Sequence, residues 1–191
     1  MLNKIKIGFA LCGSFCTFGR ILPEIKRLAE AGYDIYPIMS EFAFATDTRF
    51  GTALDFVKEI EAICGKKIIS NINDAEPIGP AALLDALIVA PCTGNTLGKL
   101  ACGITDTSVT MACKAHLRNA RPLIIAVSTN DGLGASARNV GQLLNVRNVY
   151  FVPYAQDDCI KKPASLVSDF TLIEHTLEYA LKNVQIQPLI R

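Results

Sequence analysis

Two short segments hold most of the groups suited to gripping a small molecule. Cys12-Gly13-Ser14-Phe15-Cys16-Thr17-Phe18-Gly19-Arg20 follows an apolar run ending at Leu11, and Pro91-Cys92-Thr93-Gly94-Asn95-Thr96 follows the apolar run Leu84 to Ala90. The first supplies small residues, hydroxyls and free main-chain N–H groups where a helical pattern begins, which suits a phosphate. It also reads as a plain strand-to-helix turn. Its glycines, Gly8, Gly13 and Gly19, do not spell G-x-G-x-x-G, and no Gly-Lys-Ser/Thr follows, so neither a dinucleotide fingerprint nor a P-loop is present. The second segment offers Thr93, Asn95 and Thr96 with main-chain donors at a helix start, groups able to hold a planar heteroaromatic ring by its edge. Ser40, at the end of another apolar run, is either a helix cap or a second phosphate ligand. Glu41 stands where an acid contacting a ribose would be placed.

The elements that must carry these segments follow from periodicity. Lys4–Leu11, Tyr33–Met39, Leu84–Ala90, Pro122–Val127 and Asn148–Val152 read as strands, with Lys67–Ile72 a short further one. Arg20–Ala31, Thr52–Cys64, Gly94–Cys102, Asp106–Asn119, Ala135–Leu144 and Ser165–Lys182 read as helices, with Asp106 as a cap. The near-continuous apolar character of Leu84–Ala90 is that of a strand buried on both faces. Alternation of this kind predicts a single α/β domain over residues 1–191, three-layered and doubly wound around a mainly parallel sheet. Ligands then bind beyond the carboxyl ends of the strands, which is where both segments fall.

Composition narrows the function classes. The chain has 191 residues, 50% hydrophobic and 19% charged, which excludes a disordered protein. With 19 basic and 18 acidic residues the formal charge is +1, so no bulk field attracts nucleic acid or an acidic membrane. The 7 Cys are odd in number and show no metal-ligand spacing, so no disulfide framework or metal site is expected. Cys12, Cys16, Cys92 and Cys102 surround the two segments and read as small thiols packed near a ligand. His116 stands three residues after Cys113 and is expected at a surface or interface; His175 is assigned no role. No run reaches the ~20 apolar residues of a membrane helix, and the expected location is cytoplasmic.

Pro91-Cys92-Thr93-Gly94-Asn95-Thr96, then Lys99, then Gly103-Ile104-Thr105-Asp106, resembles the P-A-S-A-N-T and following G-I-x-D pattern of the flavin-binding cysteine decarboxylase superfamily. That family includes phosphopantothenoylcysteine decarboxylase, lantibiotic decarboxylases and flavin prenyltransferases. Gly13-Ser14 and Ser40-x-x-Ala43 fall where its members hold the FMN phosphate. The resemblance implies a Rossmann-like, flavodoxin-like fold, FMN as cofactor, and a homo-oligomer, trimer or dodecamer, with flavin near the subunit interface. Carried onto this chain, it implies cofactor contacts from Gly13, Ser14, Phe15, Ser40, Cys92, Thr93, Asn95, Thr96 and Ser128. Asn95 would also meet the substrate carboxylate.

Departures from the family pattern matter equally. The decarboxylases carry an active-site His before the strand leading to P-A-S-A-N-T, where this chain has Asp74-Ala75-Glu76-Pro77-Ile78-Gly79-Pro80. They carry a P-x-M-N-x-x-M clamp after the next strand, where this chain has Val127-Ser128-Thr129-Asn130-Asp131-Gly132-Leu133-Gly134. The Arg-Glu pair of the prenyltransferases is absent as well. Leu11 to Phe18, residues 91–96, Ser128 to Leu133 and Lys161-Lys162-Pro163-Ala164-Ser165-Leu166 instead resemble the branch formed by dipicolinate synthase B subunits. That branch acts with an NAD(P)-binding A subunit in the mother cell of spore-forming bacteria. On a branch of the lysine pathway, the pair oxidises dihydrodipicolinate to pyridine-2,6-dicarboxylate. Decarboxylation of another small carboxylate, and a non-catalytic assembly role, are the alternatives. A dianionic substrate needs cations, for which Arg20, Arg49, Lys99, Lys114 and Arg138 are the candidates.

Overall fold

The computed structural model describes residues 4–191. The strands are β1 (Lys6–Leu11), β2 (Asp34–Met39), β3 (Ala86–Cys92), β4 (Leu123–Thr129), β5 (Val149–Phe151), β6 (Tyr154–Ala155) and β7 (Leu166–Ser168). The helices are α1 (Phe18–Glu30), α2 (Glu41–Ala45), α3 (Ala53–Cys64), α4 (Ile72–Ala75), α5 (Gly94–Ala101), α6 (Ser108–Leu117), α7 (Ala137–Leu144) and α8 (Ile173–Ala180). The strands form one sheet ordered β2-β1-β3-β4-β7-β6, with β5 on the first half of β4. Strands β1 to β5 run parallel. The expected three-layer, mainly parallel α/β fold is what the chain adopts.

Strand alternation sorts side chains into two cores. Ile7, Phe9 and Leu11 of β1, Ile88 of β3 and Ile124 of β4 point to one face, where they meet Ile21 and Ile25 of α1, Ile60 of α3 and Leu177 of α8. Ala10, Leu87, Val89, Ile125 and Val127 point to the other, against Leu97 of α5, Val109 and Cys113 of α6 and Leu143 of α7. A period of two therefore suffices to cover both faces with helices. Helix boundaries obey their caps: the Thr52 hydroxyl accepts the Asp55 N–H at the start of α3. Gly65 ends α3 with φ +64°, a conformation costly for a side-chain-bearing residue.

The structure corrects several sequence expectations. Ser165–Lys182 is not one helix: β7 comes first, pairing antiparallel with β6 and with Ser128 and Thr129 of β4. Asp169 caps a short 3-10 turn through the Thr171 N–H, and α8 begins only at Ile173. The amphipathic spacing of Leu166 and Phe170 is thus served by an extended segment and a turn. Lys67–Ile72 contributes a single bridge, Ile69 to Ile38, before α4 starts. Asp106 does not cap α6; its carboxylate pairs with Lys99 at 2.8 Å while extended Thr107 forms a capping box with Thr110.

His116 is also corrected, being buried rather than at a surface. A carbonyl only accepts, so its Nε2–H donates to Pro122 O at 3.0 Å, and Nδ1 has no hydrogen-bond partner among the described residues. Burial holds its pKa down to about 4, against an ordinary value near 6.5. The unfolded chain therefore binds the proton first as pH falls. The stability contributed by the neutral ring is complete above pH ~6.5 and is lost as pH drops toward 4. We predict that wild-type unfolding free energy falls between pH 7.5 and 5 by about 2 kcal/mol more than that of His116→Gln. Urea denaturation of both proteins at the two pH values checks this, and equal losses would refute it.

Candidate functional site

The loop after β1 enters α1 on one face of the sheet, and the loop after β3 enters α5 on the other. β1 and β3 are neighbours, so the two loops diverge and leave a crevice at their carboxyl ends. A cavity of about 560 Å³ occupies it, within the range of cofactor and small-molecule sites. Its walls come from Gly13 to Thr17 and Arg20 after β1, Thr48 and Phe50 after α2, and Thr93 and Gly94 after β3. Ser128, Thr129 and Asn130 at the end of β4, with Asp157, Lys162 and Val167, complete them.

Hydrogen bonds tie these loops into one frame. Ser14 and Ser128 share a hydroxyl–hydroxyl bond of 2.9 Å across the mouth. Thr17 Oγ1 donates to Ser14 O at 2.7 Å, fixing the turn after β1. Thr93 caps α5 by accepting the Thr96 N–H at 3.3 Å. Thr129 and Ser136 hydroxyls both donate to Asp131 Oδ1, the latter at 2.9 Å. The Thr129 bond, then the Ser136 bond, hold the Asp131 carboxyl below its usual range, so it is ionised at neutral pH.

The sequence-predicted residues divide into two groups. Gly13, Ser14, Phe15, Thr93 and Ser128 line the cavity. Ser40, Cys92, Asn95 and Thr96 do not. Ser40 Oγ caps α2 by accepting the Ala43 N–H at 3.3 Å. Thr96 Oγ1 donates to Cys12 Sγ at 3.2 Å beneath the floor. Cys92 is wholly buried, and Asn95 is exposed at the second position of α5. Glu41 does not face a ribose position; it accepts the Ser108 N–H at 2.9 Å.

Burial pushes the Cys12 thiol up to about 11 and pushes the Cys92 and Cys113 thiols well up too, so these sulfurs stay protonated. Of the candidate cations only Arg20 lines the cavity. Lys99 is held by Asp106, Arg49 lies 4.9 Å from the Phe50 ring centroid, and Lys114 and Arg138 are exposed elsewhere. Sequence reasoning missed Thr129, Asp157 and Lys162 as wall residues. Lys162 pairs with Asp157 at 2.8 Å. The signal available was the polar character of Asp157 to Lys162, but only the β6–β7 pairing carries that loop to the crevice.

The Flavoprotein family model matches residues 1–169, and the chain belongs to that family. Its relatives narrow the class. The B subunit of dipicolinate synthase from Bacillus subtilis (strain 168) is 42% identical over 189 residues, covering 99% of this chain and 94% of that protein. The crystal structure of the dipicolinate synthase B subunit from Bacillus halodurans C superposes with a TM-score of 0.90 at 38% identity. The match covers 98% of this chain and 96% of that one. The FMN-dependent cysteine decarboxylase SpaF gives a TM-score of 0.65 at 25% identity, over 94% of this chain and 99% of its own. These findings bear out the resemblance to the flavin-binding cysteine decarboxylase superfamily and, within it, to the dipicolinate synthase branch.

Gly94 is the position where the superfamily motif has Ala, and the structure gives the reason. A Cβ there would stand 2.7 Å from Asp131 Oδ1 and from Thr129 Oγ1, and 2.8 Å from Ser136 Oγ. We predict that Gly94→Ala destabilises the protein by about 1–3 kcal/mol, because rigid polar neighbours must move. Gly98→Ala, whose Cβ would meet nothing closer than Asn139 Nδ2 at 3.4 Å, is the control expected to cost far less. Thermal melts of the two variants decide, and equal melting temperatures would remove the argument.

Proposed function

We propose that this chain is the FMN-binding B subunit of dipicolinate synthase. With an NAD(P)-binding A subunit, it oxidises dihydrodipicolinate to pyridine-2,6-dicarboxylate. The observation that carries this reading is the cavity wall: hydroxyls, glycines and one unpaired cation, with no histidine and no methionine among the described lining residues. That wall lacks what the superfamily's decarboxylases use. It belongs to a chain 42% identical to a dipicolinate synthase B chain over 99% of its length.

The residues present fit a flavin mononucleotide. Gly13 keeps the wall open, since a Cβ there would lie 3.1 Å from the Phe42 ring. Ser14 and Ser128 present hydroxyls at the mouth, and Thr93 with Gly94 presents the main chain at the start of α5. Phe15, edge-on to Phe42 with ring centroids 5.9 Å apart, gives an apolar surface for a ring system. Bound there, FMN supplies a two-electron acceptor. This chain's own groups orient the dicarboxylate and take its proton. Thr129 lines the cavity and donates to ionised Asp131, which makes that pair a route for the proton released on aromatisation. Phe42 and Phe50, 64% and 47% exposed beside the cavity, form the surface a second copy of the chain would cover.

A second reading, decarboxylation of a small carboxylate, is favoured only by the likeness to SpaF. Product mass separates the two. With FMN, the partner protein and dihydrodipicolinate under anaerobic conditions, the flavin absorbance is expected to bleach. The product is expected to have lost two hydrogens. Loss of carbon dioxide instead would establish the second reading, and failure to take up FMN would defeat both. Ser14→Ala is expected to weaken FMN binding about tenfold through loss of one hydrogen bond to a charged group, read by flavin fluorescence titration.

A further inference from the structure

A second cavity of about 270 Å³ adjoins the first and shares Arg20, Asp157 and Val167 with it. Tyr154, Ser168, Asp169 and Arg191 are among its other walls. Its other charged groups are already matched: Arg191 pairs with Asp169, and Asp157 with Lys162 of the first cavity, each at 2.8 Å. Arg20 has no ion-pair or hydrogen-bond partner among the described residues. Its guanidinium carbon lies 4.8 Å over the ring centroid of buried Phe170, a contact that uses none of its N–H groups in a hydrogen bond.

Position in the helix sharpens the point. Arg20 is the third residue of α1, and no acidic residue stands in that first turn. A cation here adds to the positive end of the helix dipole, an unfavourable placement that an anion relieves. The anion is therefore to be sought at the boundary between the two cavities. A phosphate held by the main chain at Gly13 would sit beside Phe42 of α2, toward β2 at one edge of the sheet. Arg20 faces β6, β7 and Phe170, toward the other edge. A planar guanidinium matches a carboxylate through two parallel hydrogen bonds.

We propose that Arg20 anchors a carboxylate of the substrate in this side chamber. The class of substrate, a small dicarboxylate, rests on the function proposed above. Lys162 lines the first cavity, is paired with Asp157, and takes no part in this assignment.

The test uses the whole chain with and without FMN, titrated calorimetrically with pyridine-2,6-dicarboxylate and, separately, with the aliphatic dicarboxylate glutarate. Arg20→Gln is expected to weaken dicarboxylate binding roughly 10- to 100-fold while leaving FMN affinity within about twofold; Arg20→Lys is expected to fall between. Circular dichroism of each variant establishes that it folds. Unchanged dicarboxylate affinity in Arg20→Gln overturns the assignment and leaves the proposed function standing. Loss of FMN affinity with dicarboxylate binding retained also overturns it, placing Arg20 on the cofactor phosphate. Arg20-dependent binding of glutarate without binding of the pyridine acid upholds the anchor and defeats the proposed substrate. Binding of neither acid by the wild type overturns both.

Discussion

Everything at the site depends on the adjacency of β1 and β3 and on the opposite directions in which the chain leaves them. α1 must bury Ile21, Ile25 and Leu28 on one face, and α5 must bury Leu97 on the other. A right-handed crossover from each parallel strand permits only these departures. The two loops therefore separate at the carboxyl edge above the Thr96–Cys12 bond that joins their bases. A crevice is the geometric remainder of satisfying two cores at once. Its contents follow from which residues stand at the ends of the strands.

The crevice is kept in shape by polar links between segments distant in sequence. Ser14 reaches Ser128, and Asp131 gathers Thr129 and Ser136 against the close main-chain approach at Gly94. Beneath that frame the wall turns apolar, with Cys12, Cys92 and Cys113 desolvated and protonated. Reactive thiolate chemistry is thereby suppressed at the floor, and hydroxyls and main-chain donors face the cavity. Such a wall orients a ligand and stabilises its charge. That arrangement suits the proposed oxidation, in which the cofactor carries the chemistry and the protein orients the ligand.

The antiparallel β6–β7 pair is the element that distinguishes this cavity from an open parallel-sheet crevice. Laid against the last two residues of β4, it brings Asp157 and Lys162 to the mouth, and it leads into the turn whose Phe170 supports Arg20. The charged wall thus comes from the end of the chain, while the hydroxyl wall comes from the beginning and middle. The superfamily's methionine clamp is absent, and the β4 segment that would carry it is given over to the Asp131 cluster.

Periodicity determined the strands β1 to β5 and the helices α1, α3, α5, α6 and α7 to within a few residues, because alternation and helical spacing report which side of an element is buried. Small and hydroxyl residues after β1 and β3 likewise marked the two loops that form the crevice. What tertiary structure alone decided is which of those residues face it. Thr96 and Cys92 turned to the core because the floor needed apolar contacts and a donor for Cys12, and Ser40 was taken by its own helix. His116 went inside because a single accepting carbonyl, Pro122 O, lay within reach. Leu166 to Ser168 became a strand because an unpaired β4 edge was available beside it, a partner that no local pattern can reveal.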